Sequence, residues 1–276
     1  MKINQKSIVV SDLDGTLLNS LGKFSNIDIE SLVELGRKGI VRVIATGRSP
    51  YSFEKVAIDN LPIDYLVFTS GAGIMKWSSH ELLHVNDFSA GSIQLIIEKL
   101  IELNVDFMVQ EPIPTNHRFL YYSKGNTNID FNRRVELYRP FCMPLVTGVP
   151  YLSDASQVIA IMANDVDRFN FVSSHFKEHK VIRTTSPLDG ESIWMEIFPP
   201  HVSKATGIHW LCSHLGVDSS NVVVLGNDYN DLDMLIEFNR SYVVANAPDD
   251  LKQRFKTVAS NCDSGFSQMV RLEGLI

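Results

Sequence analysis

Four short stretches of this 276-residue chain carry oxygen- and nitrogen-bearing side chains at spacings that can do chemistry. The first is Asp12-Leu13-Asp14-Gly15-Thr16-Leu17-Leu18, directly after the apolar run Ile8-Val9-Val10. Two aspartates two positions apart in a tight loop bring two carboxylates into one small volume, and Gly15 permits a turn that other residues resist. Such carboxylates repel, so they call for a cation or a shared proton. The second stretch, Ala45-Thr46-Gly47-Arg48, ends another apolar run and is followed by Ser49-Pro50, a helix opening. A hydroxyl, an unobstructed N–H and a helix start together make an anion site. The third signal is Lys204, which follows Val202-Ser203 at the start of a helical pattern. A cation there opposes the helix dipole, and that cost favours a functional reason for the residue. The fourth stretch, Gly226-Asn227-Asp228-Tyr229-Asn230-Asp231-Leu232-Asp233, concentrates carboxylates and amides after a further apolar run. Oxygen-only ligands of this kind suit a hard divalent cation such as Mg²⁺, while the spacing of an EF-hand with its terminal glutamate is absent. Each stretch alone has an ordinary explanation: a solvated Asp-Gly turn, a strand-to-helix turn, a surface lysine, or a helix cap at Asn230 or Asp231. For the first, the buried-type strand in front of the complete heptapeptide favours chemistry.

The elements that must position these residues are legible as periodicity. Ile8-Val9-Val10, Val41-Arg42-Val43-Ile44, Tyr65-Leu66-Val67-Phe68, Val222-Val223-Val224-Leu225 and Tyr242-Val243-Val244 are short apolar runs of the kind buried on both faces of a parallel sheet. Between them, Ile29, Leu32, Val33 and Gly36 share a helical face, with Ser25 as N-cap and Gly39 as stop. Ile208, Leu211, Cys212 and Leu215 form another stripe, opened by Ser203 and closed by Gly216. This alternation predicts an α/β fold with a doubly wound parallel sheet core. The middle of the chain reads differently. It carries a helix around Ile93, Ile96, Ile97, Leu100 and Ile101, strands near 106–109, 118–122 and 158–162, a helix near 167–179, and strands near 181–183 and 194–198. The expected organisation is a core of residues 1–85 and 200–276, interrupted by an inserted α/β cap domain at 86–199.

Composition narrows the function classes. Hydrophobic residues make up 45% and charged residues 21%, which excludes a disordered chain. Twenty-five basic residues against 32 acidic ones give a net charge of −7, which speaks against nucleic acid as a partner. Three widely spaced cysteines, Cys142, Cys212 and Cys262, exclude a disulfide framework and favour a reducing, cytoplasmic setting. No apolar run reaches the 18 or so residues of a membrane helix, so no membrane partner is expected. The eight histidines, His80, His84 and His201 among them, have no metal-ligand spacing. The oligomeric state is not legible.

Taken together, the four stretches resemble the haloacid dehalogenase superfamily of phosphohydrolases, and their order and spacing resemble its Cof-type branch with a class IIB cap. Only 31 residues separate Asp14 from Thr46, whereas 157 separate Thr46 from Lys204, which leaves room for a sizeable cap only in the second interval. Glu196-Ile197 shortly before Val202-Ser203-Lys204 is also similar to that branch. The resemblance implies a Mg²⁺-dependent phosphoric monoester hydrolase acting on a small phosphorylated metabolite, a sugar phosphate or nucleotide-like ester. Asp12 would be the nucleophile that forms an aspartyl phosphate, and a carboxylate near its reference pKa of about 3.9 is already ionised at neutral pH. Asp14 would protonate the leaving alkoxide and then activate water. Leu13, Thr46, Gly47, Lys204 and Asn230 would bind the phosphate. Asp12, Asp14, Asn227 and Asp231 would hold the metal, with Arg48 and Asp228 as further candidates. Two departures stand out. Asn227 occupies a position where the family usually has aspartate, which predicts weaker metal binding unless Asp228 or Asp231 compensates. Thr69-Ser70-Gly71-Ala72 stands where the family often has Asn-Gly-Ala. Within the expected cap, His117, Arg118, Tyr121, Tyr122 and Lys124 are candidate substrate contacts. The alternatives are a phosphomutase, a non-catalytic phosphosugar-binding protein on the same fold, and a receiver that retains its phosphate; Asp14 and the inserted cap speak against the last.

Overall fold

A computed structural model describes residues 7–125 and 127–276. The chain divides into two compact units, one formed by the chain up to His84 together with Ser203–Ile276, the other by Val85–Val202.

The first stretch of chain supplies β1 (Ile8–Ser11), α1 (Asn26–Arg37), β2 (Val41–Ala45), α2 (Pro50–Glu54), β3 (Tyr65–Phe68), β4 (Gly73–Lys76) and β5 (Glu81–Val85). The inserted stretch supplies α3 (Ala90–Glu102), β6 (Phe107–Gln110), β7 (Phe119–Tyr122), α4 (Ile129–Leu137), β8 (Cys142–Pro144), β9 (Gln157–Met162), α5 (Val166–Ser173), β10 (Lys180–Thr185) and β11 (Ile193–Phe198). The chain then returns with α6 (Lys204–Leu215), β12 (Val222–Gly226), α7 (Leu232–Glu237), β13 (Arg240–Val244), α8 (Asp249–Arg254), β14 (Lys256–Val258) and α9 (Gly265–Leu272).

The first unit is built on an eight-stranded sheet in the order β14-β13-β12-β1-β2-β3-β4-β5. The six strands from β14 to β3 run parallel, as the apolar runs predict; β4 pairs antiparallel with β3. Every residue of β1 and β12 is buried, which is why these strands read as unbroken apolar runs rather than alternating ones. Their register sets Ile8 beside Val222 and Ser11 beside Leu225, so the acidic loop and the Gly226 turn leave the sheet side by side. The backbone N–H of Asp12 still donates to Leu225 O at 2.9 Å, which carries the pairing one residue past the strand.

Helix α6 brings Lys204 to these strand ends. Ser203 caps it, accepting from Thr206 N in a reciprocal capping box, and Gly216 closes it in the left-handed region. Its first turn lies flush on the loop after β3. A Cβ on Gly71 (φ +103°) would stand 2.1 Å from Ser203 O, and one on Gly207 would stand 2.8 Å from a methyl of Val67. Only glycine permits that approach.

The second unit has a six-stranded, mainly antiparallel sheet in the order β10-β11-β9-β6-β7-β8. Alternate residues face two apolar layers: Phe107, Val109, Val158 and Ala160 pack with Ile93, Ile96 and Leu100 of α3, while Met108, Ile159 and Trp194 pack with Phe131 of α4. The helix expected to reach 179 ends at Ser173. There Ser173 and Ser174 turn their hydroxyls back onto Asn170 O and Phe171 O, a local alternative to further helical bonding. Among the described residues no helix is long and apolar enough to cross a membrane.

Candidate active site

Open α/β sheets gather functional groups at the carboxyl ends of their strands, and here β1, β2 and β12 end together. Asp12, one residue past β1, is buried. Its Oδ2 accepts from Thr16 Oγ1 at 2.9 Å, and its Oδ1 accepts from Lys204 Nζ at 2.6 Å. The same ammonium donates to Asp231 Oδ1 at 2.6 Å. Lys204, the first residue of α6, has no exposed side-chain surface, so it is the centre of a buried Asp–Lys–Asp trio rather than a solvated lysine. Burial pulls its pKa down, but Asp12 and Asp231 more than offset this and hold it above the ordinary lysine value. Two carboxylates facing one ammonium leave a buried excess of negative charge. Burial and the neighbouring Asp231 push Asp12 up to about 7, against the pull of Lys204. The expectation of a reference-like Asp12 is therefore corrected: in the protein without a metal its charged form is disfavoured, because the carboxylate has lost its water and faces a second one.

Asp14 points elsewhere. Its carboxylate is 47% exposed and is gripped by Arg48 in a fork, Nε to Oδ2 at 2.8 Å and Nη2 to Oδ1 at 2.7 Å. Arg48 Nη1 donates to Ser52 O at 2.9 Å, which ties the guanidinium to α2. Thr46 is buried and follows β2; its hydroxyl accepts from Arg48 N at 3.1 Å, and its carbonyl accepts from Ser70 N at 3.0 Å. Gly47 stands beside Ser70, since a Cβ there would be 3.5 Å from Ser70 Oγ. Thr69 and Ser70, at the departure from the family pattern, both have positive φ, an uncommon conformation for residues with a Cβ.

The turn after β12 divides its labour. Asp231 is fully buried, and its Oδ2 accepts from Asn227 N at 2.7 Å and Asp228 N at 3.2 Å. Asp231, expected as a metal ligand, has one oxygen on Lys204 and the other on its own turn. Asp228 Oδ1 accepts from Tyr229 N at 2.8 Å. The side chain of Asn227 lies against the acidic loop, because a Cβ on Gly15 (φ +73°) would stand 2.4 Å from its Nδ2. Asn230 has a buried amide oxygen with no hydrogen-bond partner. Leu13, between the two aspartates, is buried, and its carbonyl accepts from Leu17 N and Leu18 N to close the loop.

Among the described residues no group of three His, Cys, Asp or Glu side chains converges to hold a metal. A cation that keeps much of its water and takes few carboxylates fits such a set, and the unbalanced charge of Asp12 and Asp231 favours one. Asp12 is the carboxylate among the donors, and the amide of Asn227, whose Nδ2 faces Gly15, would have to turn its oxygen toward such a cation.

The structure also identifies residues that the sequence reading passed over. Asn246 Nδ2 donates to Gly15 O at 2.8 Å, Asn261 N donates to Asn246 Oδ1 at 3.0 Å, and Asn261 Nδ2 donates to Leu18 O at 2.9 Å, so two asparagines brace the acidic loop. Asn246 follows β13, and the strand-end rule applied to that strand finds it. Of the candidates in the inserted unit, Tyr121 meets Phe131 edge-on and Tyr122 stacks on Phe107, which makes both packing residues. His117 meets Phe141 edge-on, and the backbone N–H of Lys124 donates to Asp106.

Acids, amides and a buried ammonium gather at the ends of parallel strands, where open α/β sheets carry their functional groups. The chain belongs to the haloacid dehalogenase-like hydrolase family, which matches residues 9–270. It is similar to two Bacillus subtilis proteins named as 5-amino-6-(5-phospho-D-ribitylamino)uracil phosphatases. YwtE is 22% identical, with 95% of this chain and 96% of that protein covered; YcsE is 23% identical, with 96% and 94% covered. Among solved structures, the phosphatase BT1666 from Bacteroides thetaiotaomicron superposes with a TM-score of 0.80 at 18% identity, covering 99% of this chain and 96% of that one. BT4131, described as a subclass IIB sugar phosphatase, superposes with a TM-score of 0.76 at 18% identity, covering 98% and 100%. These two likenesses establish the fold.

Proposed function

We propose that the chain is a Mg²⁺-dependent phosphatase that hydrolyses small phosphorylated metabolites, sugar phosphates or similar esters, through an aspartyl phosphate on Asp12. The observation that carries this reading is the buried Lys204 locked between Asp12 and Asp231. It fixes one carboxylate at the end of β1 with an ammonium beside it, which in this reading would meet the docked phosphate. Lysine has three donors, of which two are taken here, and the third would be offered to a phosphoryl oxygen. Thr46 with the N–H groups of Leu13 and Gly47, and the side-chain N–H of Asn230, would complete the set of groups that bind the equatorial oxygens, where charge spreads in phosphoryl transfer.

Asp12 attacks phosphorus, Asp14 gives a proton to the departing alkoxide, and Asp14 then takes a proton from the water that hydrolyses the acyl phosphate. Mg²⁺ would be held by Asp12, the main-chain carbonyl of Asp14 and Asn227. When bound, it supplies charge neutralisation between the carboxylate and the phosphate. Asp228 caps Tyr229 and Asp231 holds Lys204, so in this reading neither replaces the charge missing at Asn227, and Asn227→Asp should lower the Mg²⁺ concentration required. In the same reading the inserted unit is the cap that selects the alcohol.

The test is phosphate release from a panel of phosphorylated metabolites, with Mg²⁺ and with EDTA. Release that needs Mg²⁺ and disappears in Asp12→Asn supports the reading; no release from any ester sinks it, and transfer to a sugar acceptor would make the enzyme a mutase.

A further inference from the structure

The fork between Arg48 and Asp14 is more than the hydrolase reading requires. A carboxyl group on a half-exposed loop can give and take a proton without a partner, yet here both oxygens are held at 2.7 and 2.8 Å by one planar group. Arg48 is itself anchored, through Nη1 to Ser52 O and through its backbone N–H to Thr46 Oγ1. The direction of the Asp14 carboxylate is thus referred to α2 and to the end of β2, not only to its own loop. A fork of this kind uses one lone pair on each oxygen and leaves the others open, and the 47% exposure of Asp14 shows that its outer side is not covered. Arg48 therefore aims the carboxylate without blocking it. Lysine, a point charge with rotatable donors, cannot fix a carboxylate plane in this way.

We propose that Arg48 is the positioning residue for Asp14 as proton donor, so that its contribution grows with the basicity of the departing alcohol and is largest where the leaving group is an alkoxide, which departs only when protonated. The inference rests on the phosphatase reading above and deepens it. In the step concerned, a bond forms between Asp12 and phosphorus while the ester P–O bond breaks. The electron pair of that bond stays on the alcohol oxygen, which takes the proton from Asp14. Water later attacks phosphorus, its proton returns to Asp14, and the Asp12–phosphorus bond breaks. The sum is ester plus water giving alcohol plus phosphate. Aryl phosphates leave as stabilised phenolates and need no such proton, so the value of Arg48 depends on the leaving group.

That dependence is the test. kcat/KM, which reports steps only up to formation of the phosphoenzyme, is measured for glycerol phosphate and for 4-nitrophenyl phosphate in full-length wild type, Arg48→Gln, Arg48→Lys, Asp14→Asn and Arg48→Gln/Asp14→Asn, with thermal melting to confirm folding. Arg48→Gln should lose roughly 10²-fold on the alkyl ester and less than about tenfold on the aryl ester, as loss of acid catalysis does. Arg48→Lys should recover little of the loss, and guanidinium ion in the assay should restore part of it to Arg48→Gln. In the Asp14→Asn background, Arg48→Gln should cost nothing more, because its partner's function is already gone. Equal losses on both esters, full recovery with lysine, or additive losses in the double variant would each overturn the proposal while leaving the phosphatase reading intact. Absence of turnover by wild type on both esters would overturn that reading, and the proposal with it.

Discussion

At the end of one sheet, two cations serve two carboxylates under opposite conditions. On the floor of the site, Lys204, Asp12 and Asp231 have side chains no more than 5% exposed. On the rim, Arg48 and Asp14 are 29% and 47% exposed. Removing one charge from a buried set leaves another uncompensated in a medium that cannot solvate it, and this is strongly destabilising. Removing one from an exposed pair costs folding little, because water replaces it. In the proposed function the floor would therefore couple chemistry to folding. In that function the rim would carry chemistry that folding scarcely depends on, and so would be free to specialise.

The largest effect belongs to the floor. Lys204→Met should destabilise the protein by about 3–5 kcal/mol, since Asp12 and Asp231 would face each other without a cation, and turnover should vanish. Urea unfolding measures the first; a loss under about 1 kcal/mol would break the contrast between floor and rim.

The next effect is one of pH. Asp12 is pushed up to about 7 in the folded protein, against about 3.9 for an unperturbed aspartate. Between those values the unfolded chain has released this proton while the folded one keeps it. The folded state then binds more protons, and stability falls as pH rises from about 4 to about 7. Unfolding in EDTA should show this decline in wild type, on the order of a few kcal/mol. Asp12→Asn should lack that decline and be inactive. Parallel curves for the two proteins would remove the unbalanced charge from the account.

How much of this contrast the sequence discloses follows from which interactions are local. β1 and β12 are legible because burial on both faces forces apolar runs, and α6 because Ser203 and Gly216 mark its ends. β4 and β5 are missed. β5 is largely exposed, so no apolar pattern is imposed on it. α4 is missed because only Asp130 and Phe131 of its nine residues are buried, too few for a stripe. At the site, the residue types are legible but their pairings are not. Lys204 meets Asp12 across 192 positions and Asp14 meets Arg48 across 34, and no periodicity encodes a contact made by folding. Asp231 shows the same limit: an aspartate in an oxygen-rich turn reads as a ligand, and only the fold shows that one of its oxygens meets Lys204 and the other meets two backbone N–H groups.

On the rim, Asp14→Asn should cost turnover about 10²–10⁴-fold on alkyl esters, as removal of a general acid does. Its folding free energy should move by no more than about 1 kcal/mol, as for an exposed ion pair. Steady-state kinetics and a urea curve on the same preparation check both halves, and a large loss of stability would place Asp14 with the floor.

The smallest effect lies where floor and rim meet. Asn246 is exposed, but its amide holds Gly15 O, one residue beyond Asp14 and three beyond Asp12, and is itself held by Asn261 N. The loop is fastened at its buried end by Asp12 N to Leu225 O and by the carbonyl of Leu13, so loss of Asn246 should leave Asp12 in place. What it should loosen is the outer half of the loop, where Asp14 stands. One hydrogen bond is worth about 0.5–1.5 kcal/mol net, which converts to a change of roughly two- to tenfold in rate if felt wholly in the transition state. Asn246→Ala should therefore lower kcat/KM by a few-fold on alkyl esters and less on aryl ones, with the pH dependence of stability unchanged. If the pH dependence moved instead, the loop would be transmitting strain to the floor, and the two halves of the site would not be separable.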